Sequence, residues 1–426
     1  MAFEFDKDFD LEISDFGIQK MYSLTWDHDY GGTVACVPAI DEGIVYFGCD
    51  NYYFYALDIE TGKESWKFKS GGCAGNYCTV VAGETVFFGS YDGYLYALDK
   101  KTGELLWKFK TGGKVVSGVS FAGNRIVFGS RDSYVYCLDQ EGNEIWRFRT
   151  GDQIISTPTI IDGKIYIGSY DGCMYCLNLD TGKETWRFRT GGAIGNFAPV
   201  NIHEDRIFFG SWDFNMYCLN RHTGKEIWRF RAGRGILSSG KVHEGVLYFG
   251  AKDGFHAIDI LNGKEKWIIK LEYLPHATNV CVHNDKIYFG GGENDYERGI
   301  LVCADKEGKI LWEFITNGPS WPGPQMDKGK LAIGSWNCYM YRIDPGTGKE
   351  LWKFRTGGNP SKEKVIDYSE VALITIITGK GVFKEDEKED KYSPEPEVQI
   401  SEENVYVTRS EYSAGSRTYK IETGYM

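Results

Sequence analysis

Through most of the chain apolar and polar residues alternate in short runs, and the runs are separated by Asp-Gly, Thr-Gly or Gly-Asn pairs instead of longer connectors. Alternation of period two marks half-buried strands, and Gly beside Asp or Asn marks tight turns. One stretch shows the unit: residues 154–161 form a first strand, Asp162-Gly163 turns it, and 164–169 return. Tyr170-Asp171-Gly172 is then a hairpin turn, 174–178 a third strand, Asp180-Thr181-Gly182 another turn, and 184–189 an outer strand. The unit is copied. Residues 86–99 lead to Trp107, 126–139 to Trp146, 165–178 to Trp186, and 207–220 to Trp228. The closing tryptophans are Trp66, Trp107, Trp146, Trp186, Trp228, Trp267, Trp312 and Trp352, spaced by 41, 39, 40, 42, 39, 45 and 40 residues. Four strands per period of about forty is the signature of propeller blades, so an all-β propeller of antiparallel blades is predicted.

Trp26-Asp-His-Asp-Tyr-Gly31-Gly32 repeats the spacing of Trp66 through Gly71-Gly72, which supplies an outer strand with no three strands before it. The C-terminal residues 398–424 read as three strands followed by Thr423-Gly424, stopping where an outer strand is due. Pairing 21–26 with 398–424 gives a ninth blade and closes the ring between the termini, which removes its free edge. An eight-blade ring with the terminal strands outside it is the alternative. The predicted organisation is an extension over 1–20 and a propeller over 21–426. Its tandem blades span 33–358, and an acidic, proline-interrupted insertion occupies 359–397.

Composition agrees with one repeat architecture in place of the three domains that 426 residues could hold: Gly 53, Tyr 28, Phe 25 and Trp 12 supply turns and a large core. The formal net charge of −12 argues against a general nucleic-acid or anionic-membrane binder. No run is apolar and long enough for a membrane-spanning helix. The acidic start, Met1 to Asp10, does not read as a secretory signal, so a cytoplasmic monomer is expected. Of the eleven cysteines, Cys137, Cys176 and Cys218 stand where Ala56 and Ala97 stand in other copies, and read as small buried side chains. Cys173 and Cys176 lie three apart on one strand and therefore on opposite faces, which disfavours a redox or zinc pair.

The recurring motif Gly-Ser-x-Asp-Gly-x-Leu-Tyr-Ala-Leu-Asp-x-x-Thr-Gly-Lys-x-x-Trp, nearly unbroken at 88–107 and 167–186, resembles the PQQ-like repeat β-propellers. The resemblance covers roughly residues 33–358. It implies that each tryptophan, including Trp26, docks between adjacent blades. It also raises a quinoprotein dehydrogenase, in which carboxylates and an amide around the channel hold PQQ and calcium. The assembly-machine propeller that serves outer-membrane barrel insertion resembles this chain in fold and acts through protein contacts.

Two rings of candidate residues follow from strand geometry. Four residues past the second Gly of each Gly-Gly, or its equivalent, lie Cys36, Asn76, Ser117, Ser156, Asn196, Ser238 and Asn279, with Pro322 in the eighth copy: a small polar collar at the channel mouth. None of the seven is acidic, so bound PQQ is not expected, and no metal site is expected. The variable place before the turn Asp gives Tyr91, Arg131, Tyr170, Trp212, Lys252 and Trp336, with Asp50 in the first copy. Tyr, Trp and Arg together on one surface are common anchors of recognition. Alternation points Lys67, Lys69, Lys108, Lys110, Arg187 and Arg189 outward on the perimeter, where charge discourages edge pairing between molecules. His203, His243 and His283 recur in the turns at the opposite end of the blades, too far apart to share one ion. No nucleophile motif or phosphate loop is present. The chain therefore reads as a non-catalytic binding or assembly scaffold for a protein or unknown ligand, the alternative being a PQQ-dependent oxidoreductase.

Overall fold

The computed structural model describes residues 32–74, 79–195, 199–233, 235–236, 238–271, 279–292, 298–320 and 322–357, together with short strands between 406 and 425. Residues 32–357 build eight four-stranded antiparallel sheets, each formed from strands consecutive in the chain. These blades cover residues 39–69, 80–110, 119–149, 159–189, 201–231, 241–269, 280–316 and 325–355. First strands of neighbouring blades touch, which places them around the axis, and the fourth strands form the rim.

The fourth blade shows why the sequence folds so. Its strands are Thr159–Ile161, Lys164–Gly168, Cys173–Asn178 and Glu184–Arg189. The two middle strands are almost wholly buried, because each blade face lies against a neighbouring blade. The outer strand alternates exposed and half-buried residues, so Trp186 and Phe188 turn inward while Arg187 and Arg189 face solvent. Trp186 sits opposite Cys176, and a bulge follows between Cys176 and Leu177. Ala56, Ala97, Cys137, Cys218, Ala257 and Cys303 stand opposite the tryptophan in other blades, each at the same bulge. In these seven blades the residue opposite the indole is small, which leaves room beside the ring as it reaches the next blade. Cys173 and Cys176 join different inter-blade clusters, so the two thiols do lie on opposite faces.

Each indole caps the next blade. Trp146 donates from Nε1 to the Leu179 carbonyl at 2.8 Å and lies over Gly182, whose φ of +67° favours glycine. A Cβ at Gly182 would come within 2.6 Å of the indole. Trp66 meets Gly103, Trp107 meets Gly142, Trp186 meets Gly224, Trp228 meets Gly263, Trp267 meets Gly308 and Trp312 meets Gly348 in the same way.

The last seat decides the blade number. Trp352 of the eighth blade lies over Gly62 and donates to the Ile59 carbonyl of the first blade at 2.8 Å. Arg342, in the place of the usual small residue, donates to the same carbonyl at 2.9 Å and pairs with Glu60. Val34 donates to Ser335, Thr356 donates to Gly32, and Ala332 and Met340 share a core with Val45, Phe47 and Leu57. The count of nine is thus corrected to the alternative, eight: the first blade's seat is taken by Trp352. Trp26 and the pairing of 21–26 with 398–424 lie outside the described residues, as do the extension 1–20 and the insertion 359–397. In a separate C-terminal unit, Tyr406–Thr408 pairs with Thr423–Tyr425, and Ser413–Ala414 with Arg417–Thr418.

Candidate functional site: the turn-tip face

The turns between second and third strands are built by residues within one motif. In the fourth blade the Asp171 Oδ1 accepts the Cys173 backbone N–H at 2.8 Å. Its Oδ2 accepts the Tyr175 hydroxyl at 2.6 Å and the Gly151 N–H at 2.7 Å, which ties the turn to the preceding loop. The Ser169 hydroxyl accepts from the Asp171 N–H and donates to the Asp152 carbonyl. Asp92, Asp132 and Asp213 repeat the pattern with Tyr96, Tyr136 and Tyr217. Burial, then the hydrogen bond given to a carboxylate, pushes these phenols well above the ordinary tyrosine value. They serve as structural donors. The sixth blade substitutes His256, buried between Asp253 at 3.2 Å and Glu265 at 2.7 Å.

The variable side chains reach across the seams between blades, Tyr170 toward Gly195 and Trp212 ahead of it and Arg131 back over Tyr91. Tyr91, Arg131, Tyr170, Trp212, Lys252 and Trp336 are all half-buried. On the second to fifth blades they form a connected run. Lys114 Nζ and Arg131 Cζ lie 4.8 and 5.7 Å from the Tyr91 ring centre, within cation–π range. Tyr91 and Tyr170 rest on a small cluster of Val116 and Ile155. Tyr170 meets Trp212 edge-to-face, with centroids 5.8 Å apart. Lys252 and Trp336 occupy the equivalent tips of the sixth and eighth blades. Asp50 is buried instead, accepting from the Thr33 hydroxyl.

Sequence reasoning missed Lys114, Val116 and Ile155, the loop residues on which the tips lean. Their signal was available: charged or apolar residues directly after the Gly-Gly or Gly-Asp that ends each outer strand. It also missed backbone cost at four tips. Where Gly93 and Gly172 stand in the second and fourth blades, Tyr52, Ser133, Phe214 and Cys338 hold φ between +67° and +73°, a region that disfavours bulky side chains.

The collar residues stand differently. Ser117, Ser156 and Ser238 are buried. Ser117 donates to Gly118 and accepts from Gly129, Ser156 donates to Ile194, and Ser238 accepts from Gly240. Buried Cys36 donates to the Gly48 carbonyl, and Asn279 donates to the Pro324 carbonyl at 2.7 Å. Pro322 is buried. Ser156 and Asn279 tie their segments to those of the next blade, whereas Cys36, Ser117 and Ser238 are bonded within their own blade. Asn76 and Asn196 lie outside the described residues.

The perimeter cations are matched in place. Arg187 makes a two-pronged contact with Glu184 at 2.8 and 2.7 Å, and Arg229 does so with Glu226. Both guanidinium groups lie over third-strand tyrosines. Burial pushes the Cys176 and Cys303 thiols up to about 11 and those of Cys137 and Cys218 to about 12, which leaves them un-ionised at neutral pH.

A family model described as outer membrane protein assembly factor BamB matches residues 23–108, 91–210 and 195–313. Quinohemoprotein alcohol dehydrogenase ADH IIB of Pseudomonas putida is 29% identical over 152 residues, 30% of this chain and 21% of that one. A lanthanide-dependent methanol dehydrogenase of Methylacidiphilum fumariolicum is 37% identical over 75 residues, 16% of this chain and 12% of that one. The chain therefore spans about a fifth or less of these relatives' length. The crystal structure of BamB from Moraxella catarrhalis superposes with a TM-score of 0.53 at 20% identity, over 60% of this chain and 82% of that one, a likeness of fold.

Proposed function

The chain belongs to the outer membrane protein assembly factor BamB family of PQQ-like repeat propellers, and on that premise we propose that it is a non-catalytic binding or assembly scaffold. Its recognition surface is the turn-tip face of the second to fifth blades. The observation that carries this reading is the connected run Lys114, Tyr91, Arg131, Tyr170 and Trp212. In these four blades the turns are held by Asp, Ser and the third-strand Tyr, with Gly93, Ser133, Gly172 or Phe214 at the positive-φ place, so the turn bonds do not use the variable side chain. Half-exposed rings flanked by cations suit a protein or large ligand with apolar and anionic groups. Cytoplasmic location and a monomeric state belong to the same proposal. The location is supported by free cysteines buried as small apolar side chains and is tested by cell fractionation; light scattering tests the monomeric state.

The quinoprotein relatives favour a second reading, PQQ-dependent oxidation. A quinone with its cation needs several oxygen ligands, mostly anionic. The described collar offers neutral hydroxyl, thiol and amide groups already committed to backbone partners, a poor fit to that group. The binding reading is therefore preferred.

The test is a Tyr170→Ala, Trp212→Ala double variant, first shown to keep the parent circular dichroism, then used as bait beside the parent in quantitative affinity capture. Loss of partners held by the parent supports the face. Retention of every partner by the folded variant moves recognition elsewhere.

A further inference from the structure

The end of the blades opposite the turn tips carries the hairpin turns between first and second strands. In the sixth blade, strand Lys241–His243 runs into Glu244; in the seventh, Val280–His283 runs into Asn284 and Asp285. The seam brings His243, Glu244 and Asp285 together with one ligand atom from each, all within 4.8 Å of one another. Among the described residues this is the one such trio of His, Cys, Asp or Glu.

The distance across the seam is informative. His243 Nε2 lies 3.4 Å from Asp285 Oδ1. The other three histidine–carboxylate contacts among the described residues are shorter, His222 with Asp205 at 2.8 Å, His256 with Glu265 at 2.7 Å and His256 with Asp253 at 3.2 Å. A separation of 3.4 Å is long for that bond. It matches one edge of a tetrahedron of N and O ligands about 2.0–2.1 Å from a zinc ion, about 3.3–3.4 Å, while the wider spacing in the trio, up to 4.8 Å, closes only when the exposed Glu244 carboxylate swings inward. Neighbouring seams lack the carboxylate. The place of Asp285 is held by Gly245 in the sixth blade and by Gly329 in the eighth. A Cβ at Gly329 would stand 3.7 Å from His283 Nε2, so that seam has a similar approach without the ligand. Of the three recurring histidines, His243 alone combines its own neighbouring Glu with an Asp from the next blade.

We propose that His243, Glu244 and Asp285 form a site for a zinc-class divalent cation that staples the sixth blade to the seventh. One imidazole and two carboxylates neutralise a divalent ion and suit the borderline metals of the late first row. A fourth position stays open to water or to a donor from a bound partner.

The experiment is titration of the full-length, metal-stripped protein with Co(II), followed by displacement with Zn(II). Visible d–d bands are read for the site, and the near-ultraviolet thiolate band for binding at cysteine. The expected result is one equivalent with d–d bands and no thiolate band. Affinity should fall at least tenfold in His243→Ala and in Asp285→Asn, and stay at the parent value in His203→Ala and His283→Ala. The three histidines end first strands and Asp285 lies in the turn, all at least partly open to solvent, and circular dichroism verifies that each variant is folded. Absence of binding to the parent, a thiolate-dominated spectrum, or unchanged affinity in His243→Ala and Asp285→Asn would each overturn the assignment.

Discussion

Replacing Trp352 by alanine removes the indole that joins the last blade to the first. Full burial of a tryptophan is worth about 3–5 kcal/mol on truncation, and half-exposure of Trp352 brings this to about 2–3. The indole N–H also leaves the Ile59 carbonyl, but that oxygen keeps its bond from Arg342, so the loss adds no more than about 0.5–1 kcal/mol. The total is about 3 kcal/mol. With unfolding entropy near 2.1 cal/mol/K per residue over roughly 330 residues, a ring melting as one unit loses about 4 °C. The comparison that carries weight is Trp146→Ala, which removes the same packing between the third and fourth blades. Scanning calorimetry on the parent and both variants should give two similar drops. A Trp352→Ala protein melting within about a degree of the parent, beside a Trp146→Ala protein that falls by about 4 °C, would refute closure of the ring at eight blades.

Asp171→Ala should cost about 3 kcal/mol, roughly 4 °C in melting temperature, because it strands the Tyr175 hydroxyl and two backbone donors; Asp171→Asn, which keeps one acceptor, should cost less. Cys137, Cys176, Cys218 and Cys303 should resist iodoacetamide in the native protein at mildly alkaline pH and react once it is unfolded in urea, as peptide mass spectrometry would show. Alkylation of these four at equal rates in both states would mean that their burial is transient. Calorimetry with PQQ and calcium should give no saturable heat, and stoichiometric binding would restore the oxidoreductase reading.

What the amino-acid sequence determined by itself was everything written within a single blade. The turn carboxylate, its tyrosine, the glycine under the indole and the tryptophan all fall inside about forty residues. Their bonds form within one hairpin or between consecutive copies, so period, strand positions and faces were legible. Cys173 and Cys176 landed on opposite faces for the same reason: period two along a strand is a local rule. Tertiary structure decided what depends on the ring as a whole. The number of blades follows from where Trp352 finds its seat, some 290 residues away on Ile59 and Gly62, and no local pattern states which glycine that is. The collar was legible as a row of small polar residues, but the backbone groups that use them, on the second strand, the adjoining loop or the next blade, became visible only with the blades in place. The meeting of His243 with Asp285 is likewise a property of the seam. Side chains 42 residues apart become neighbours because stacking the sixth blade on the seventh superposes equivalent turns.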